Sequence, residues 1–321
     1  MHRLKLFLVA LAALAALALS QPALAQEKRR SVLVTGANSG IGLAITQYLT
    51  ARGFHVYGGA RKDEDLKTLN AMPNVTAVRL DVTKQEDIDA AAKFVTAQGR
   101  GLYGVINNAG VAVMGELATV ADKDMQWQYD INVMGPLRLN RALIPLLKES
   151  KGRTAVIGSL SGFAVGHSGG GYSMTKFAME AYAETLALEL APAGVLSGII
   201  DPGSFKSHAR EKVVIQQLTG VHDLNQPLNE EQQKVLAGVR EAEAKRKEPT
   251  DVAEQVYRFL TSDKPYVHYM AAPDQITVDR VIHTMMDRTM ELNVSQPAYT
   301  LSREKLVAMI DEYLAKNPAK K

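Results

Sequence analysis

Tyr172 and Lys176 stand four residues apart, directly after Gly169, Gly170 and Gly171. Residues at i and i+4 share one face of a helix, so the phenol and the ammonium are predicted to point the same way. A cation beside a phenol favours the phenolate and lowers its pKa. Tyr172 is therefore a candidate proton donor or acceptor near neutral pH. The same spacing also occurs in ordinary amphipathic helices, with a packed tyrosine and a solvated lysine. The rest of the chain has to decide between the two.

A second local signal lies at Asn132. Pro136 has no N–H, so a continuous helix cannot bond the Asn132 carbonyl to residue 136, and Gly135 loosens the same turn. The freed carbonyl is left open to a water, and one that connects to Lys176 would make a proton relay. The competing reading is a plain proline kink whose carbonyl is satisfied by solvent; taken without the other motifs, the signal reads first as that kink.

The run VLVTGANSGIGLAI carries Gly36, Gly40 and Gly42, with Asn38, Ser39 and Ile41 between and beside them. Glycine permits the positive φ angles of a tight turn and lets backbone approach a ligand closely. A strand precedes and a helix follows, so the helix-start N–H groups are predicted to face a pyrophosphate. No Gly-Lys-Ser/Thr follows, which argues against an ATPase or GTPase phosphate loop.

These residues need a frame. Short β-branched apolar runs at 31–35, 54–59, 75–80, 103–107, 154–159 and 195–200 read as strands. Helical patterns fill the gaps, most clearly at 41–51, 87–98, 122–148 and 172–191. Strands apolar on both faces and separated by helices predict a doubly wound α/β fold with a parallel sheet covered on both sides. From about residue 205 to 246 the chain is polar and helix-prone. Helices are then expected at 251–261, 274–292 and 302–316, with a last strand at 266–272. One domain with a substrate lid and a helical extension at about 204–321 follows from this pattern.

Taken together, Thr35-Gly-x-x-x-Gly-x-Gly42, Asn107-Asn-Ala-Gly110 and Tyr172-x-x-x-Lys176 resemble the short-chain dehydrogenase/reductase (SDR) family, over residues 31–207. The resemblance implies a Rossmann fold and hydride transfer between a nicotinamide cofactor and a carbonyl or secondary alcohol. Ser159, 13 residues before Tyr172, takes the position of the family's catalytic serine. Ser161 is its competitor. Asn132 matches the family's fourth catalytic residue. Tyr172 is expected to move the proton and Lys176 to hold the nicotinamide ribose. Asp81 and the Val82 backbone are expected on the adenine edge. Asn108, Ala109 and Gly110 are expected along the adenosine side, and Asn107 in a sheet-stabilising role. Pro202 and Gly203 close the sixth strand near the nicotinamide amide, and Ser207 stands where the family often has threonine.

The second strand is followed by Arg61 and Lys62, where an NAD site is expected to carry an acid for the ribose diol. Guanidinium suits a 2′-phosphate, so NADP(H) is expected to be preferred, with NAD(H) possible. No metal is required. His167 and His208 lack ligand-like spacing. Phe163, Ala164, Val165 and Phe205 suggest a partly apolar substrate wall. The runs 162–172 and 185–195 are most similar to the hydroxysteroid and retinol dehydrogenase branch, which implies a hydrophobic substrate. The same resemblance implies a homodimer or homotetramer through the helices read at 122–148 and 172–191. The rival reading is a non-catalytic, NADP(H)-sensing binding protein on the same fold.

Composition sets the outer limits. The 321 residues are 46% hydrophobic and 22% charged, an ordinary globular composition that fits one long domain or two small ones. Arg3 and Lys5 precede an uncharged apolar run at 6–19, and Ala23-Leu24-Ala25 follows. This is the pattern of a secretory signal peptide over 1–25, so export, with a periplasmic destination, is expected. An uncleaved membrane anchor is the alternative; with cleavage, no stable membrane insertion is expected. Cleavage removes two of the 37 basic residues and leaves 35 against 34 acidic ones. That balance gives no electrostatic case for nucleic acid. Zero cysteines exclude disulfides, thiolate metal sites and a cysteine nucleophile.

Overall fold

The computed structural model describes residues 30–220 and 226–317. Residues 1–25, read as an export signal, lie outside them. The described chain forms one seven-stranded parallel sheet in the order β3-β2-β1-β4-β5-β6-β7. The strands are β1 (Ser31–Thr35), β2 (His55–Ala60), β3 (Val75–Arg79), β4 (Gly104–Asn107), β5 (Arg153–Ile157), β6 (Leu196–Pro202) and β7 (His268–Ala271). Side chains alternate across each strand, and both faces are apolar. Val32 and Val34 of β1 enter one core while Leu33 enters the other.

On the first face α1 (Gly40–Thr50) packs against α9 (Thr250–Thr261). Ile45, Leu49, Val252, Val256, Phe259 and Leu260 are sealed there. The second face is covered by α3 (Gln85–Ala97), α5 (Gly135–Ser150) and α6 (Gly170–Leu190), which bury Ile88, Val95, Leu139, Leu143, Leu147 and Leu186. The strand order reverses between β1 and β4. Ligands of open parallel sheets bind beyond the strand C-termini at such a switch point.

Two helices differ from the expectation. The single helix read at 122–148 is divided into α4 (Asp122–Tyr129), a wider π-helical turn at Asp130–Met134, and α5. The missing N–H of Pro136 explains the change of register. The short α2 (Asp63–Asn70) was not among the expected helices. It buries little besides Leu69 but starts with Asp63, Glu64 and Asp65, which suit a helix N-terminus. The polar stretch after β6 resolves into α7 (Ala209–Thr219) and α8 (Glu230–Ala244), packed on each other. After β7 come α10 (Gln275–Val294) and α11 (Arg303–Lys316). Among the described residues no helix is long and apolar enough to cross a membrane.

Candidate active site

The β1–α1 turn is the floor of the site. Gly36 and Gly40 take φ of +64° and +53°, values that side chains rarely tolerate. At Gly42 the reason for glycine is space: a Cβ there would lie 2.1 Å from the Gly36 carbonyl oxygen. The turn is braced from β4. Asn108 donates through Nδ2 to the Thr35 carbonyl at 2.8 Å, and the Thr35 hydroxyl accepts the Asn108 and Ala109 N–H groups at 2.9 and 2.8 Å. No side chain caps α1, and its first turn carries no acid. The turn therefore fits an anionic group at a helix N-terminus. Gly42→Ala is expected to cost roughly 1–3 kcal/mol, the usual range for overpacking, and to weaken nucleotide binding. Denaturant unfolding and a nucleotide titration check both.

The other expected cofactor residues border the same strand ends. Arg61 and Lys62 follow β2 and are exposed. Arg61 lies 3.8 Å from Asp81, which follows β3. Burial alone would raise the Asp81 carboxyl. Hydrogen bonds from the Thr83 N–H and hydroxyl, helped by the Arg61 and Lys84 charges, hold it below the ordinary aspartate value. The Val82 side chain packs on the start of α5, where a Gly135 Cβ would meet it at 2.8 Å. Val82 as a whole is buried. Gly110 is exposed beyond β4, and Pro202 and Gly203 close β6. Ser207 stands opposite Gly40, at 3.4 Å from where a Cβ would be. Asn107 donates to the Ala155 carbonyl at 3.2 Å and ties β4 to β5.

Tyr172 and Lys176 lie on the first turns of α6. The Lys176 amine is 5.4 Å from the centre of the Tyr172 ring and donates to the Ile157 carbonyl, at the end of β5, at 2.9 Å. Ser159 lies two residues further on, and its hydroxyl accepts the Ser161 N–H at 3.1 Å. Ser161 thus serves the turn through its backbone. The turn at Leu160–Gly162 packs against α6, with Gly162 close to the Lys176 backbone.

Asn132 sits in the π-helical turn and is buried. Its side chain donates to the Val111 carbonyl at 2.8 Å and to the Thr175 hydroxyl at 3.1 Å, and it accepts the Val111 N–H at 2.8 Å. Thr175 donates in turn to the Tyr172 carbonyl at 2.8 Å. The sequence reading drew attention to the backbone carbonyl; the structure adds a side chain that joins the segment after β4 to the Tyr172 turn. One wall residue moves: Phe205 is buried in the first-face core with the α1 and α9 side chains. A large aromatic next to Gly203 reads as pocket lining by position alone, but the core offers it more apolar contact. The extension also reaches the site, since Arg288 of α10 donates to the Phe163 carbonyl at 3.2 Å.

Two residues that the sequence reading did not single out lie just behind Ser159. Asp201 accepts the Ser159 N–H through Oδ1 at 3.0 Å, and Glu180 stands one turn after Lys176 on α6. Their signal was present as an acid inside the apolar run of β6 and a stripe at 172, 176 and 180.

Comparison with known proteins agrees with this layout. The short chain dehydrogenase family model matches residues 30–218. The uncharacterized oxidoreductase YbbO of Escherichia coli K12 is 35% identical over 187 residues, which cover 58% of this chain and 69% of that protein. Retinol dehydrogenase 5 of Mus musculus is 34% identical over 181 residues, covering 55% and 57%. The mitochondrial D-beta-hydroxybutyrate dehydrogenase of Bos taurus is 31% identical, covering 55% and 54%. The match thus spans little more than half the length of the latter two relatives. Among solved structures, a short-chain dehydrogenase from Streptomyces avermitilis superposes with a TM-score of 0.67 at 29% identity, covering 83% of this chain and 96% of that one. With the glycine turn, the Tyr172–Lys176 pair and this family match in agreement, the chain belongs to the short-chain dehydrogenase family, an oxidoreductase family acting on CH–OH and C=O groups.

Proposed function

We propose that this protein is an NADP(H)-dependent oxidoreductase for a hydrophobic secondary alcohol or ketone, with Tyr172 as its general acid and base. The observation that carries the reading is the Lys176 ammonium beside the Tyr172 ring, on the helix that Lys176 ties to the end of β5. When bound, the nicotinamide supplies or accepts the hydride. The protein's own groups handle the oxygen. In reduction the Tyr172 hydroxyl gives its proton to the carbonyl oxygen, and the Ser159 hydroxyl donates a hydrogen bond to the same atom. Lys176 stabilises the phenolate left behind and holds the ribose. Asn132 fixes the Tyr172 turn through Thr175. In oxidation the proton runs the other way.

The choice of NADP(H) rests on charge. Arg61 and Lys62 are exposed cations beside the expected adenosine ribose. Asp63, the first acid after β2, is turned to Arg79 as an ion pair. That leaves two cations to meet a 2′-phosphate and withdraws the carboxylate that a ribose diol needs. The hydrophobic substrate class is supported by the likeness to a retinol dehydrogenase and by Phe163, Ala164 and Val165 beside Ser161. The experiment is a cofactor-consumption screen with aliphatic, aromatic and steroid ketones, where NADPH oxidation dependent on an apolar ketone is the expected result.

Export through the 1–25 segment and self-association through the helices read at 122–148 and 172–191, here α4, α5 and α6, complete the proposal. Leu188, 79% exposed on α6, is a side chain that a second copy would cover. Cell fractionation and light scattering test these two points; cytosolic, unprocessed protein or a monomer would remove them.

A further inference from the structure

Tyr172, Lys176, Glu180 and Glu184 recur every four residues and form one stripe along α6. The first half of the stripe meets the site, and the second half enters a cluster that the proposed reaction does not use. Glu180 and Asp201 are 7% and 1% exposed, and one oxygen of each, Glu180 Oε1 and Asp201 Oδ2, is sealed from solvent without a hydrogen-bond partner among the described residues. Their other oxygens are engaged. Asp201 Oδ1 accepts the Ser159 N–H at 3.0 Å, and Glu180 Oε2 faces His268 Nδ1 of β7 at 3.1 Å. The far side of the same ring, Nε2, is 3.2 Å from the exposed Glu184. One ligand-type atom each from Glu180, Asp201 and His268 lies within 4.8 Å of the others.

Two carboxylates this close inside a protein do not both stay ionised, and two buried acceptors without donors are costly. A proton between them satisfies both oxygens at once. A divalent cation would also do so, but His268 faces a carboxylate with each ring nitrogen. In that arrangement both nitrogens donate, and an imidazolium has no lone pair for a metal.

We infer that Asp201 and Glu180 share one buried proton, which holds the Ser159 turn and the Lys176 helix in register, and that His268 is its exit to solvent. The backbone of the turn lies directly on the pair. A Cβ at Gly158 would fall 2.0 Å from Asp201 Oδ1, and one at Gly162 would fall 2.8 Å from Glu180 Oε1. Ionising both acids therefore pushes on Ser159 from behind. These are positioning residues, and their effect on rate passes through Ser159 and Lys176. The inference rests on reading those two as active-site groups.

The electrostatics agree in sign. Burial, then the neighbouring Glu180 carboxyl, push the Asp201 carboxyl well above the ordinary aspartate value, against the Ser159 N–H and the Lys176 charge. His268 is pushed up first by its Glu180 hydrogen bond and also by Glu184, against burial. The groups facing the pair are thus Lys176 and Glu184 from α6, His268 from β7 and the Ser159 N–H beyond β5. A carboxyl with a raised folded-state pKa contributes stability below its unfolded value and loses it as pH rises through the folded one. His268 acts in the same direction. The native state is therefore expected to weaken as pH rises from the ordinary aspartate value through that of the buried Asp201.

The test is infrared spectroscopy of the full chain in deuterated buffer, with melting temperature read against pH. Wild type is expected to show a protonated-carboxyl stretch near neutral pH. That band should be gone in Asp201→Asn and in Glu180→Gln, each of which keeps an N–H donor in place of the shared proton. The melting temperature of wild type should fall as the band is titrated away, and that fall should be smaller in both amide variants. Asp201→Ala is expected to lower kcat about tenfold, the cost of one lost hydrogen bond, with Asp201→Asn recovering most of it. Absence of the band in wild type near neutral pH overturns the inference. So does one divalent ion per chain in metal analysis that Asp201→Asn releases. The infrared arm reads the proton whatever Tyr172 does, so a failure here is separate from a failure of the hydride-transfer reading.

Discussion

Tyr172→Phe is expected to lower kcat at least ~100-fold while NADPH affinity stays near that of wild type. General acid–base help is typically worth ~100- to 10,000-fold, and this substitution removes the one oxygen assigned to proton transfer. It removes little else. The Tyr172 backbone carbonyl, not its hydroxyl, accepts the Thr175 bond, and Lys176 is anchored on the Ile157 carbonyl. The helix and the ammonium should therefore stay in place around a phenylalanine ring. Single-turnover kinetics with a fluorescence titration of NADPH separate the two effects. Wild-type turnover in Tyr172→Phe would reject the assignment of this residue.

The second large effect concerns cofactor choice. Replacing both Arg61 and Lys62 by Ala is expected to reduce the NADPH-over-NADH preference in kcat/KM about 10- to 100-fold. A hydrogen bond to a charged group contributes about 1.5–3 kcal/mol, and each 1.4 kcal/mol is a factor of ten. The Arg61 side chain is 67% exposed and stands 3.8 Å from Asp81, too loose a pair to consume its charge. The loss should appear with NADPH alone, because NADH offers no 2′-phosphate. An equal loss with both cofactors would show that Arg61 and Lys62 act on the fold or on a shared part of the nucleotide.

What the sequence made visible follows from range. Strand runs such as 31–35 are apolar on both faces, and β1 occupies those residues because no other local structure buries alternate side chains on opposite sides. Tyr172 and Lys176 were legible for the same reason, since four-residue spacing is a helical contact. The break in the helix at Asp130–Met134 was half visible: Pro136 announced it, but proline chemistry alone does not say whether the chain kinks or widens into a π turn. Contacts between distant elements were hidden. Glu180 and His268 meet across 88 residues, and the Asn132 side chain reaches Thr175 from another helix. Nothing in the local pattern around His268 distinguishes it from His167, an exposed histidine beside the site. Phe205 was misread because position beside Gly203 says where a residue starts, whereas burial decides where its ring goes.

The most direct measurement of the central claim is deuterium transfer. The purified protein is incubated with NADPH deuterated at the nicotinamide C4 and with an apolar ketone that it consumes in the screen, and the alcohol is analysed by mass spectrometry. Deuterium on the carbinol carbon in wild type, and its near absence in Tyr172→Phe, is the result this account predicts. Tight NADPH binding with no label transferred to any ketone of the panel would contradict it and leave a nucleotide-sensing protein on the same fold.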